Sequence, residues 1–103
     1  MQTQRGDVRR LADVLRAMGH PTRLQILQRI AEGEWCVSEL GRELEQSQPN
    51  TSQHLAKLRD AGLIIPERRG GMTCYHLADK RIVQIIQQVR EMIAILNERE
   101  LAV

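Results

Sequence analysis

The amino-acid sequence predicts a mainly α-helical domain with a β-hairpin wing, arranged as a winged helix-turn-helix. Three observations predict it. Apolar residues recur every three to four positions from residue 8 to residue 58, a Gly70-Gly71 pair separates two short β-prone runs at residues 63–77, and a second helical stripe follows from residue 82 to residue 96. The chain has 103 residues, which is enough for one hydrophobic core and too few for two, so residues 1–103 read as a single domain.

The first helix is expected over residues 8–18, where Val8, Leu11, Val14, Leu15 and Met18 fall on one face, and Gly19-His20-Pro21 ends it. Pro21 suits the first turn of a second, short and largely buried helix that carries Leu24, Ile26, Leu27 and Ile30 and stops at Gly33. Val37, Leu40 and Leu44 mark a third helix starting near Cys36 to Ser38, and Glu45-Gln46-Ser47-Gln48 interrupts it with a turn. Ser47 then serves as N-cap and Pro49 stands in the first turn of a fourth helix, which buries Leu55 and Leu58 and ends at Gly62. Residues 36–60 thus outline a helix-turn-helix. Leu63, Ile64 and Ile65 open a strand, Gly70-Gly71 forms a two-residue loop, and Met72 to Leu77 return, giving a wing over residues 63–77 with Arg68 and Arg69 beside its tip. Within the returning strand, alternation places Thr73 and Tyr75 on one side and Met72, Cys74 and His76 on the other. A last helix over residues 81–97 carries Ile82, Ile85, Ile86, Val89, Met92, Ile93 and Leu96 in a stripe too broad for one small neighbour. Together with the first helix it offers a dimerisation surface.

Composition narrows the function classes. Apolar residues make up 42% and charged residues 27% of the chain, ordinary globular values that exclude a disordered or fibrous chain as the starting point. With one Trp, one Tyr and no Phe, the monomer core is small, and burial in a homodimer would add to it. The net charge of +2 says little about an anionic partner, so the placement of the positive residues has to decide. No apolar run reaches the length of a signal sequence core or a membrane span, which leads to the expectation of a cytoplasmic chain with no membrane partner. In that reducing compartment Cys36 and Cys74 are expected to rest as free thiols.

With Leu55 and Leu58 turned inward and Thr51 one turn earlier on the same side, the outer face of the fourth helix is left with Asn50, Gln53, His54 and Lys57. Amide side chains can make paired hydrogen bonds to a base edge. Lys can meet guanine or phosphate, and a Ser or Thr at a helix start can hold phosphate together with unpaired backbone N–H groups. A positive wing beside such a helix covers the neighbouring phosphate backbone, which favours a DNA-reading surface over an ordinary polar one.

Residues 19–77 contain HPTRLQIL, the ELxxxLxxSQPxxSQHLxxL pattern from Glu39 to Leu58, and a G-L-I…R-R-G-G…Y-H-L wing. This ordered set resembles the ArsR/SmtB family of metal- and stress-responsive repressors. The resemblance implies a winged-helix homodimer, joined through its first and last helices, that binds double-stranded operator DNA with dyad symmetry and is released by an inducer. It implies that the helix beginning at Gln48 is the recognition helix, with Ser47, Gln48, Asn50, Thr51, Ser52, Gln53, His54 and Lys57 as DNA-side candidates, and that Arg68 and Arg69 act from the wing. His54 has a second reading, as a residue that locks the helix to its neighbour.

Arsenite- and soft-metal-sensing members of the family carry Cys-Val-Cys at the start of the third helix, with another Cys soon after. Here the segment is Cys36-Val37-Ser38-Glu39-Leu40-Gly41, so only the first thiol is present and this helix alone cannot build a three-coordinate site. Residues 79–100 contain no His, which argues against the zinc and nickel sites found on the last helix of other members. Cys36 and Cys74 remain as inducer candidates: a metal or metalloid site for arsenite or a soft metal ion completed across a dimer, a redox pair or single reactive thiol, or two ordinary half-buried residues. Cys36, at a helix start, is the stronger sensing candidate. Catalysis is not expected, because no phosphate loop, nucleophile motif or His-metal signature is visible and His20, His54 and His76 are scattered. The alternatives are a winged-helix module that binds protein rather than DNA, and a regulator with no thiol inducer.

Overall fold

The computed structural model describes residues 5–33 and 35–102; residues 1–4, 34 and 103 of the expected domain lie outside the described residues. The chain runs α1 (Arg5–Met18), α2 (Pro21–Glu32), β1 (Trp35–Cys36), α3 (Val37–Glu43), α4 (Gln48–Asp60), β2 (Ile64–Arg69), β3 (Met72–Leu77) and α5 (Arg81–Ala102). Every helix and hairpin strand read from the sequence is present. The outer helices run further than the apolar stripe, α1 starting at Arg5 rather than residue 8 and α5 reaching Ala102 rather than residue 97. β1 was not expected.

Local chemistry sets the joints. His20 caps α2, its Nδ1 accepting a hydrogen bond from the Thr22 N–H at 3.1 Å, and Pro21 follows where an N–H would have had no partner. α4 ends as the Gly62 N–H donates to the Arg59 carbonyl at 2.8 Å and the Leu63 N–H to the Leu58 carbonyl at 3.0 Å. Gly62 takes φ +80°, a left-handed conformation that costs glycine nothing, and so turns the chain into the wing. Gly70 and Gly71, at φ +54° and +82°, form the tight hairpin turn that the sequence demanded. Asp79 anchors the start of α5 by accepting from the Arg81 backbone N–H at 2.8 Å and from its guanidinium, and these bonds hold its carboxyl down at about 2.

β3 is the central strand of a three-stranded antiparallel sheet ordered β1-β3-β2. Trp35 pairs with Tyr75 and Cys36 with Cys74 on one edge, while Ile64 to Arg69 pair with Leu77 to Met72 on the other. Two adjacent residues of β3, Cys74 and Tyr75, are both buried, so the strand is covered on more than its core-facing side. Tyr75 packs into the core and Cys74 is covered where β1 crosses it.

The core lies between α2, α3, α4 and the base of the wing. Ile26, Leu27, Leu40, Leu55 and Leu58 are fully enclosed there, joined by Ile64, Tyr75, Ile82 and Ile86. At about 25 cal/mol per Å² of apolar surface removed from water, these side chains supply the main drive for folding. α5 divides along its length: Ile82 and Ile86 are buried, but Ile85, Val89, Met92, Ile93 and Leu96 remain 43–52% exposed. Val8, Leu11 and Leu15 of α1 are exposed to a similar degree. Among the described residues no helix is long and apolar enough to cross a membrane.

Candidate nucleic-acid interface

The helix-turn-helix is held together by a close approach of α3 to α4. Gly41 is buried, and a Cβ there would stand 3.2 Å from the Gln46 carbonyl oxygen and 3.3 Å from the Thr51 hydroxyl. A side chain here would be tight against the turn and α4, which would have to give by a few tenths of an ångström. Sequence reasoning treated Gly41 only as a missing ligand, yet its absent side chain is what lets α4 sit so near.

α4 then presents its face in a fixed rotation. The Ser47 hydroxyl accepts from the Asn50 N–H at 3.2 Å, and the Thr51 hydroxyl donates to the Ser47 carbonyl at 2.9 Å. Thr51 is only 1% exposed and lies one turn before Leu55 on the core side, which withdraws it from the set of DNA-side candidates. Gln48, Asn50, Ser52, Gln53 and Lys57 all face solvent, as does Ser47, whose hydroxyl is already engaged as a cap. His54 is half-buried: its ring centroid lies 4.5 Å from that of His20, and its buried Nδ1 has no hydrogen-bond partner among the described residues. Burial, then the charges of His20, Arg23 and Lys57, push its pKa below the ordinary histidine value. The contact ties α4 to the cap of α2, which is the second of the two readings of this residue.

Arg68 and Arg69 close β2 and are exposed. Arg68 donates to the Thr73 hydroxyl across the hairpin at 3.4 Å, and Arg69 pairs with Glu67 at 3.3 Å. Glu67 also faces His76 at 3.7 Å. Gln48 and Ser52 of α4 line one cleft together with Gly71, Met72 and Thr73 of the wing.

The two cysteines meet. Cys36 and Cys74, separated by 38 residues, are joined by a disulfide with their Cα atoms 3.8 Å apart, as directly opposed residues of β1 and β3. This corrects the expectation of free thiols; the physical reason is β1, whose two residues were too few to produce a strand pattern and which lays Cys36 across from Cys74. The signal in the sequence was slight: a β-prone Trp35 two residues after Gly33. Cys74 is 2% exposed, whereas Cys36 is half-buried at the entrance to α3. A soft-metal or arsenite site does not fit this arrangement. In the disulfide state neither thiol is available, Gly41 supplies no ligand, and among the described residues no group of three or more His, Cys, Asp or Glu is placed to hold a metal ion.

Residues 20–65 match the sequence model of the family described as bacterial regulatory protein, arsR family. An HTH-type transcriptional regulator of Methanocaldococcus jannaschii is 39% identical over 82 residues, covering 79% of this chain and 92% of that protein. The chain belongs to the arsR family of bacterial regulatory proteins. The HTH-type transcriptional repressor SmtB of Mycobacterium tuberculosis is also 39% identical, over 74 residues that make up 72% of this chain and 55% of the longer relative. Among solved structures, HlyU from Vibrio cholerae superposes with a TM-score of 0.75 at 31% identity, covering 84% of this chain and 97% of its own. The homodimeric winged helix-turn-helix DNA-binding domain Mb0332 of Mycobacterium bovis superposes with a TM-score of 0.79 at 25% identity, covering 91% and 89%. The sequence resemblance and the observed winged helix-turn-helix therefore agree, and the relatives are transcriptional regulators.

Proposed function

We propose that this arsR-family chain is a homodimeric transcriptional repressor that binds double-stranded operator DNA through α4 and the wing, and that oxidation of the Cys36–Cys74 pair releases it. The observation that carries the reading is the position of the disulfide. It ties the first residue before α3, the support of the recognition helix, to the central strand of the wing. The two elements that would contact adjacent stretches of DNA are thus cross-linked in one redox state and separately adjustable in the other.

The DNA-side assignment rests on the solvent-facing amides Gln48, Asn50 and Gln53, on Lys57, and on Arg68 and Arg69 at the wing tip. Gln and Asn read base edges, while the cations hold phosphate. Homodimerisation is supported by the apolar trough of about 370 Å³ between α1, α2 and α5, lined by Leu15, Leu24, Ile85, Val89 and Ile93, and by the homodimeric state named for the Mycobacterium bovis neighbour. An uncovered apolar face of this extent is a protein-binding surface, and a second copy would present the same stripe. The relatives are transcriptional regulators, which supports a regulatory rather than an enzymatic reading.

The test is a binding titration of the reduced and the disulfide forms against the DNA immediately upstream of the chain's own coding sequence and against random duplex. Tighter operator binding by the reduced form, abolished as a redox difference in Cys74→Ser, is the expected result. Equal operator affinity of the two wild-type forms would remove the thiol pair from regulation.

A further inference from the structure

Next to the disulfide lies a cleft of about 290 Å³, formed by Cys36, Val37 and Ser38 at the start of α3, Gln48 and Ser52 of α4, and Gly71, Met72 and Thr73 of the wing. Cys36 lines this cleft and Cys74 does not. The two residues are therefore not equivalent: Cys36 is half-buried and lines a ligand-sized opening, and Cys74 is 2% exposed. Thiol–disulfide exchange depends on which sulfur an incoming thiolate can reach.

We propose that the cleft is a docking site for a low-molecular-weight thiol carrying a carboxylate, and that Cys36 is the residue it modifies. The proposal rests on the DNA-binding reading above. Ser38, Ser52 and Thr73 offer hydroxyls and Gln48 an amide to a small polar molecule, while Val37 and Met72 contribute apolar wall. Arg68, which donates to the Thr73 hydroxyl, brings a guanidinium to the wing side of the opening, where a carboxylate of the thiol would be drawn.

The exchange is balanced within the pair. The thiol loses its proton, its sulfur attacks Sγ of Cys36, and a new S–S bond forms as the bond to Cys74 breaks. The electron pair leaves on the Cys74 sulfur, which takes up a proton, and no outside oxidant or reductant is needed. From the dithiol state the same adduct forms when the Cys36 thiolate attacks a small disulfide and expels one thiolate. In either case the adduct stands between Gln48 and Ser52 of the recognition helix and the tip of the wing, where a DNA backbone would have to enter. S-thiolation at Cys36 is thus a third state of the protein, one that blocks DNA by bulk rather than by cross-linking.

The experiment treats reduced Cys74→Ser and Cys36→Ser proteins with glutathione disulfide, with cystamine as its cationic counterpart, and follows adduct formation by intact mass and peptide mapping. Cys36 should be thiolated about tenfold faster than Cys74, in keeping with its access, and faster by glutathione disulfide than by cystamine. Equal rates at the two cysteines, preference for Cys74, or preference for cystamine overturns the proposal. Should either variant fail to fold, mapping the first mixed disulfide formed when wild-type disulfide protein meets glutathione gives the same answer. Thiolated Cys74→Ser should then bind a random-sequence duplex at low salt about tenfold more weakly than the unmodified variant, recovering with reductant, whereas the methylthio adduct from methyl methanethiosulfonate should not weaken it. Undiminished binding by the glutathione adduct overturns the steric claim. This arm does not depend on the disulfide switch: equal operator affinity of the two wild-type redox states defeats that switch and leaves the adduct result standing.

Discussion

Arg68 offers a sharp test of the wing. Its guanidinium has a hydroxyl rather than a carboxylate as its hydrogen-bond partner, Thr73 at 3.4 Å, so its charge is available to a phosphate, whereas Arg69 must first give up Glu67 at 3.3 Å. Each phosphate neutralised contributes about 0.9 to the slope of log affinity against log salt, so losing Arg68 from both subunits of a dimer should make the slope shallower by about 1.8. Between ~50 and ~200 mM salt, Arg68→Ala should therefore lose about tenfold less affinity than the wild type loses over the same interval. Arg69→Ala should change the slope by less. Fluorescence anisotropy on operator and random duplexes across a salt series reads the quantity directly. Gln53→Ala is the contrasting perturbation: it should leave the slope alone and erode the preference for operator by about 1–3 kcal/mol if Gln53 makes a paired base contact. An unchanged slope in Arg68→Ala, or an Arg68 variant that alters sequence preference as Gln53→Ala does, would refute the division of labour between wing and helix.

The other two predictions concern the dimer and the His20–His54 contact. Val89→Asp places a carboxylate on the exposed part of the α5 stripe, where a second copy would bury it at a cost of several kcal/mol; sedimentation should show monomer, with operator affinity lost and the fold retained, and an undisturbed dimer would count against the α1/α5 interface. Ile86→Asp is no substitute, since Ile86 is 9% exposed and its replacement would damage the core itself. His54 has its pKa pushed down by burial first and then by His20, Arg23 and Lys57. The unfolded chain therefore takes up a proton more readily than the folded one, so the contribution of His54 to stability is complete above its ordinary value of 6.5 and is lost as pH falls below it. Thermal unfolding followed from about pH 7.5 down to about pH 5.5 should show wild type losing more stability than His54→Gln, and parallel curves would show that the site is not coupled to folding.

What could be read from the sequence, and what could not, divides by the range of the forces involved. The helices announce themselves through periodic Leu, Ile and Val, and the hairpin through Gly70-Gly71, because burial and left-handed turns impose residue types locally. The rotation of α4 was legible for the same reason: Leu55 and Leu58 fix its inner face and leave Gln53 and Lys57 outside. Helical geometry turned Thr51 inward with them, and its burial agrees with that rather than with the DNA-side role that the family resemblance implied. Gly41 carried a constraint that only the packed pair of helices reveals, since the atoms it would meet belong to Gln46 and Thr51.

The thiol pair shows the limit most clearly. A two-residue strand has no period to detect, yet it pairs Trp35 with Tyr75 and Cys36 with Cys74, and so turns two isolated cysteines into one bonded site. Its consequence follows from topology rather than from either residue. β3 is hydrogen-bonded to β1 on one edge and to the basic strand β2 on the other, so a bond formed or broken at Cys74 acts on the strand that carries the wing, while its partner Cys36 leads directly into the helix that supports α4. On the proposed reading such a regulator needs no ligand cage: a change at one sulfur pair, whose Cys36 lines the cleft beside Gln48 and Ser52, would reach both α3–α4 and the wing through the backbone that connects them.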